Sequence, residues 1–280
     1  MDKIILKNEC AEFTAAICGA KPLSLIADGR EWLAGYISPI LFPVVGRVLN
    51  DEHIYNGKTY NMPLHGFAQK MDFIVEELTD TSVSLVLEAN DETRAMYPFE
   101  FRLKVKYTLD GRKLTTSYTV QNTGENTMYY GIGSHIGFNI TLPKEDYELI
   151  FNSDLENNSE LTIRGNDPDL KNKVPLEGGK VAIKTEYFEQ GAVIIGNHKA
   201  TSYRLINKKE KTQITYNSAD FEYITIWSDV VSPFLCIEPW TYSGGHIKIK
   251  NTLSETKEIS VLNSGEKKEY KYDITCEVIK

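Results

Sequence analysis

The sequence predicts an all-β protein, a large antiparallel β-sandwich, and three observations predict it. Apolar and polar side chains alternate with period two in one segment after another. Asp-Gly and Asn-Gly pairs, which accept the positive φ of tight hairpins, punctuate those segments. No stretch carries a convincing amphipathic helical pattern.

In chain order, Tyr55-Asn56-Gly57-Lys58 reads as the first hairpin turn. Residues 82–88, 99–107 and 114–120 alternate and are rich in β-branched and aromatic side chains, as half-buried strands are. Leu109-Asp110-Gly111-Arg112 lies between the last two and predicts that they pair antiparallel. Residues 152–180, rich in Asn, Asp, Gly and Lys, read as an elaborated loop, because β patterning resumes at Val181-Ala182-Ile183. Strands follow at 203–206, 213–216 and 223–227. Residues 234–238 are apolar almost throughout, as expected of a strand covered on both faces. Thr252-Leu253-Ser254-Glu255 suits a short helical turn, and 259–262 and 270–276 are expected to close the sheet. No internal repeat or break in composition divides the chain, so residues 1–280 are expected to form one β-domain.

A net charge of -8 repels nucleic acid and anionic lipid, so neither is an expected partner. Cys10, Cys18, Cys236 and Cys276 include no Cys-x-x-Cys pair, and free thiols in a reducing compartment are expected. Charges interrupt the N-terminal residues too soon for a signal peptide, and no apolar run is long enough to span a membrane. A cytoplasmic enzyme or binding protein fits.

Five stretches place chemistry-bearing side chains beside Gly or Pro, where strands give way to loops. They are Phe42-Pro43-Val44-Val45-Gly46-Arg47, Pro63-Leu64-His65-Gly66-Phe67, Tyr97-Pro98-Phe99-Glu100-Phe101, Gly131-Ile132-Gly133-Ser134-His135-Ile136-Gly137-Phe138-Asn139 and Cys236-Ile237-Glu238-Pro239-Trp240. Singly, each also fits a structural role. His65 suits a turn, His135 suits buried backbone groups, Arg47 suits the surface, and Trp240 suits the core. Glu238 is harder to dismiss. It ends an apolar strand, and a carboxylate buried there needs a partner or a cleft. A structural salt bridge would also meet that need.

In their order along the chain these stretches resemble the aldose 1-epimerase (galactose mutarotase-like) family, in particular its short bacterial branch that includes LacX-type proteins. The resemblance spans residues 17–278 and implies the family's β-supersandwich. It implies that Glu238 is the catalytic base and His135 the catalytic acid, while His65 and Arg47 contact the sugar. Larger members bind sugar hydroxyls through an aspartate that has no clear counterpart here; 185–190 is the candidate stretch. The implied ligand is a hexose or hexose derivative.

Ring opening of an aldose takes a proton from the anomeric hydroxyl and gives one to the ring oxygen. A carboxylate and an imidazole positioned together serve both transfers. No electron or group is transferred, so no cofactor is expected, and no phosphate-binding glycine loop or metal-ligand spacing is present. Trp240 would offer the sugar an apolar face. Other readings remain. A hexose-6-phosphate epimerase would need a cation cluster, with Lys70 and Arg94 as candidates beside Arg47. A glycoside hydrolase would need a second carboxylate. A non-catalytic sugar sensor would keep the fold. A metal site of His65, His135 and Glu238 would lack any short His-x-x-x-His pattern.

Overall fold

Alternation lets a strand bury one face, and the longest alternating segments form the centre of the largest sheet. In the computed structural model, which describes residues 2–166, 169–244, 252–256 and 258–279, strands Phe101–Asp110, Lys113–Asn122 and Lys267–Val278 pair antiparallel. The sheet has ten strands, from Leu176–Glu177 at one edge to Ile74–Leu78 at the other. Lys267–Val278 lies inside it, against the expectation that this segment closes the sheet. Ser260–Leu262 does not join it, pairing instead with Met128–Tyr130.

Asn56 and Gly57 both take positive φ, 48° and 76°, in the turn joining Glu52–Tyr55 to Lys58–Asn61. The second hairpin differs by one residue from expectation. Asp110 stays in the ladder opposite Lys113, and the loop is Gly111-Arg112, with Gly111 at φ 57°.

A seven-stranded sheet forms the second layer. Its order is Thr162–Arg164, Val193–Gly196, Tyr223–Trp227, Phe234–Trp240, Gly133–Ser134 and Ile40–Leu41, with Ile136–Asn139 also pairing along Phe234–Trp240. The two layers meet through buried tyrosines, whose hydroxyls need partners. Tyr216 Oη donates to the Ile237 carbonyl at 3.1 Å, and Tyr272 Oη lies 2.9 Å from Ser134 Oγ.

A third sheet, Lys3–Lys7, Ala11–Ala16, Pro22–Ala27 and Arg30–Glu31, packs its Phe13 and Leu25 into the same core. The sequence reading did not find it. The Ala-rich second strand carries little apolar signal, and its pairing shifts register between Thr14 and Ala15. Two short α-helices, Asp91–Met96 and Leu170–Lys173, occur among the described residues. Residues 152–180 include the edge strand Thr162–Arg164 and the second of these helices, and residues 167–168 lie outside the described residues. The expected helical turn is a 3-10 turn at Leu253–Glu255. No helix among the described residues is long and apolar enough to cross a membrane.

Candidate active site

Strand Phe234–Trp240 is buried throughout, as its apolar run predicts, but it does not end at Glu238. It continues through Pro239 to Trp240. Period two sends Leu235 and Ile237 into the core between the layers, and turns Cys236, Glu238 and Trp240 to the other face. That face floors a cleft of about 690 Å³.

Register selects the neighbours of Glu238. On one side it pairs with Thr225. On the other, Gly133 pairs with Trp240 and Ile136 with Ile237, which sets His135 directly opposite Glu238. Directly opposed residues share a face with Cβ atoms about 5 Å apart. His135 Nε2 lies 3.3 Å from Glu238 Oε1. The glycines around His135 make room for what packs against it. A Cβ on Gly133 would stand 2.9 Å from the Trp240 indole, and one on Gly137 would stand 2.6 Å from Ile37.

Two loops close the cleft beside this row. His65 is left-handed, at φ 63°, and Gly66 follows at φ 75°. The His65 N–H donates to the Gly46 carbonyl at 2.8 Å, and the Gly46 N–H donates to His65 Nδ1 at 3.0 Å. With Nδ1 accepting, the proton of the neutral ring sits on Nε2. The ring stands edge-on to His135, centroids 5.4 Å apart. Arg47 follows Gly46, lines the cleft and pairs with Asp51. A Cβ on Gly66 would lie 2.1 Å from the Phe42 carbonyl oxygen. Gly66→Ala is therefore expected to cost about 2 kcal/mol or more, from backbone strain plus the clash. Urea unfolding checks this, and an unchanged midpoint would show that the loop tolerates a side chain there.

Glu238 is 1% exposed, and burial pushes its carboxyl well above the usual range. The Trp240 indole pulls weakly the other way, without the geometry of a full hydrogen bond. Burial pushes the His135 imidazole down to about 4, opposed by the carbonyls of His135 itself and Ile37. Burial, with His135 and Arg47 nearby, holds His65 at about 3. Desolvation thus favours the neutral form of each group. At this pair, burial favours a carboxylic acid beside a neutral imidazole. Glu238 Oε2, Thr225 Oγ1 and Trp240 Nε1, on residues that line the cleft, are buried without hydrogen-bond partners. Orphaned polar atoms are uncommon in folded proteins, and three on one cleft fit a site for a polar ligand.

All five residues singled out from the sequence, Arg47, His65, His135, Glu238 and Trp240, line this cleft. Lys70 and Arg94 do not, and Arg94 is paired with Asp91 and Glu100. Glu186 and Glu189, from the candidate stretch 185–190, line a separate pocket with Glu145. Asn166, Gly191 and Ala192 stand on the cleft wall instead, and Asn166 donates to the Gln190 carbonyl at 2.6 Å. Residues 152–180 therefore contribute to the cleft. Glu238 is the one carboxylate lining it among the described residues.

Sequence reasoning missed Thr225, Trp227, Tyr36 and Asn166. Period two in residues 223–227 places Thr225 and Trp227 on one face, but only strand pairing reveals which face. The donor cluster that fits a metal best is His135, Cys236 and Glu238, all within 4.8 Å of one another, without His65. Burial pushes both the Cys236 thiol and the Glu238 carboxyl up, toward protonated forms that bind metal poorly, so the donor set does not fit an ion well.

A sequence profile described as aldose 1-epimerase matches residues 2–262. Protein LacX (plasmid) of Lactococcus lactis subsp. lactis is 31% identical over 267 residues, covering 89% of this chain and 87% of the relative. A galactose mutarotase related enzyme from Lactobacillus acidophilus superposes with a TM-score of 0.88 at 27% identity, over 100% of this chain and 99% of that one. A galactose mutarotase-like protein from Lactobacillus casei gives 0.88 at 27% identity, over 99% and 100%.

Proposed function

The chain belongs to the aldose 1-epimerase family, and from that premise we propose that it is a mutarotase interconverting the α and β anomers of a neutral hexose. The observation that carries this reading is the directly opposed pair Glu238 and His135, 3.3 Å apart in a desolvated cleft. Its single proton matches the needs of the reaction. In the carboxylate–imidazolium form, Glu238 accepts the anomeric proton through Oε2, the oxygen not turned to His135. His135 gives its proton to the ring oxygen, the C1–ring oxygen bond breaks, and the open aldehyde forms. The pair is then carboxylic acid and neutral imidazole. The aldehyde turns about C1–C2, and the reverse transfers close the ring on its other face. No proton is gained or lost over the cycle. Desolvation favours the neutral pair, the form that accompanies the open chain.

His65 Nε2–H and Arg47 donate to sugar hydroxyls, Thr225 Oγ1 bonds another, and Trp240 packs against ring C–H groups. A neutral sugar is favoured because Arg47, the one Lys or Arg lining the cleft among the described residues, is already paired with Asp51. The single carboxylate likewise disfavours glycoside hydrolysis. Freshly dissolved α-glucose, α-galactose and glucose 6-phosphate, followed by polarimetry, test the reading. Faster exchange of a neutral hexose is expected. Binding without acceleration would make the protein a sugar sensor, and preference for glucose 6-phosphate would overturn the neutral substrate.

A further inference from the structure

Glu238 and Trp240 sit on a strand, where the ladder fixes the backbone, but His65 and Gly46 sit on loops. Buried peptide groups of a loop need partners of their own. The chain that carries Glu238 supplies one. Past Trp240, the Thr241 N–H donates to the Ile132 carbonyl at 3.1 Å, and Thr241 Oγ1 accepts the Ile132 N–H at 3.0 Å. Tyr242 follows, 2% exposed. Its Oη accepts the Val45 N–H and donates to the Val45 carbonyl, both at 3.2 Å. A hydroxyl can do both, and the two bonds copy those that two residues exchange across an antiparallel ladder. Gly131 leaves room for the ring, since a Cβ there would stand 2.1 Å from Tyr242 Cε1.

The clamp reaches the cleft through one peptide. The Val45 carbonyl and the Gly46 N–H belong to the same planar unit and point to opposite sides of it. Tyr242 holds the carbonyl side. On the other side, the Gly46 N–H donates to His65 Nδ1 at 3.0 Å, and the Gly46 carbonyl accepts the His65 N–H at 2.8 Å. A bond to the carbonyl fixes the plane and also polarises the N–H. Burial holds His65 at about 3, so near neutral pH the ring is neutral. What is left to set is which of its nitrogens carries the proton. The Gly46 N–H sets that only while it stays aimed at Nδ1.

We propose that Tyr242 is a positioning residue: through the Val45–Gly46 peptide it keeps the proton of His65 on Nε2, the nitrogen that donates to the sugar. The contact with sugar rests on the mutarotase reading; the tautomer does not.

Nitrogen NMR of the imidazoles near neutral pH, beside hexose kinetics, tests this on wild type, Tyr242→Phe and Tyr107→Phe. Phenylalanine keeps the ring against Gly131 and removes the hydroxyl alone. Tyr107 is the control: its buried hydroxyl also donates to a carbonyl, that of Ala20 at 2.6 Å, and it does not line the cleft. Wild-type His65 is expected to show a bare Nδ1 and a protonated Nε2. In Tyr242→Phe the two His65 signals are expected to move toward each other, as both tautomers become populated. The hexose KM is expected to rise about fivefold, within the reach of one hydrogen bond, with kcat unchanged. Tyr107→Phe is expected to lose stability while its His65 signals and KM stay as in wild type. Wild-type His65 signals in Tyr242→Phe would overturn the proposal. An equal KM rise in Tyr107→Phe would also overturn it, as a mere cost of lost stability. So would shifted signals with an unchanged KM, which would part the tautomer from sugar binding. If wild type accelerates no hexose, the mutarotase reading falls, and the His65 signals still decide the tautomer.

Discussion

Glu238→Gln is expected to lower the rate of anomer exchange by about 10²–10⁴-fold, the usual contribution of a positioned acid or base. Glutamine keeps the shape of the side chain and its place opposite His135 but cannot accept the anomeric proton. Sugar binding should change little, so the loss falls on kcat. The same substitution should not destabilise the fold. Burial raises the Glu238 carboxyl above its unfolded value. Above about pH 4.3 the unfolded chain releases this proton while the folded chain keeps it. Rising pH therefore favours unfolding until the folded group also ionises, and glutamine removes that effect. Urea unfolding at about pH 8 should find the variant at least as stable as wild type. Turnover within tenfold of wild type would remove Glu238 from the chemistry.

The expected loss rests on a juxtaposition that the sequence carries only in part. The residue types were legible: a carboxylate in an apolar strand, a histidine among glycines, and a Gly-Arg and a His-Gly at turns. Their convergence was not. It depends on strand Phe234–Trp240 pairing with Tyr223–Trp227 on one side and with the His135 segment on the other. Alternation specifies which residues of a strand share a face, but not which strand lies beside it. Thr225 shows the limit: it is an unremarkable strand threonine until register sets it beside Glu238. The long central strands were legible because alternation is strongest where a sheet separates core from solvent. The N-terminal sheet was not, because alanine marks a buried face only weakly. The contribution of residues 152–180 was also hidden, since Asn166 reaches the cleft through a bond to the distant Gln190 carbonyl.

The burial of three imidazoles, two of them at the cleft, sets the protein's sensitivity to acid. Burial holds His135 and His198 at about 4 and His65 at about 3, against about 6.5 in an unfolded chain. As pH falls, the unfolded state therefore binds protons first, and these imidazoles favour unfolding. Their stabilising effect is complete above about pH 6.5 and drains as pH falls toward about 4. At about 1.4 kcal/mol per pH unit, each contributes about 3–5 kcal/mol. His65 stands against His135, and His135 against Glu238, so these contributions do not simply add. Urea midpoints should fall steeply between about pH 6.5 and about pH 4.5. His198→Gln, remote from the cleft, should flatten part of that slope while leaving anomer exchange at neutral pH unchanged. A flat profile would mean that burial does not depress the imidazoles, which would then charge in the folded protein as readily as in the unfolded chain. Glu238 and His135 would lack the preference for the neutral pair, the form that accompanies the open chain.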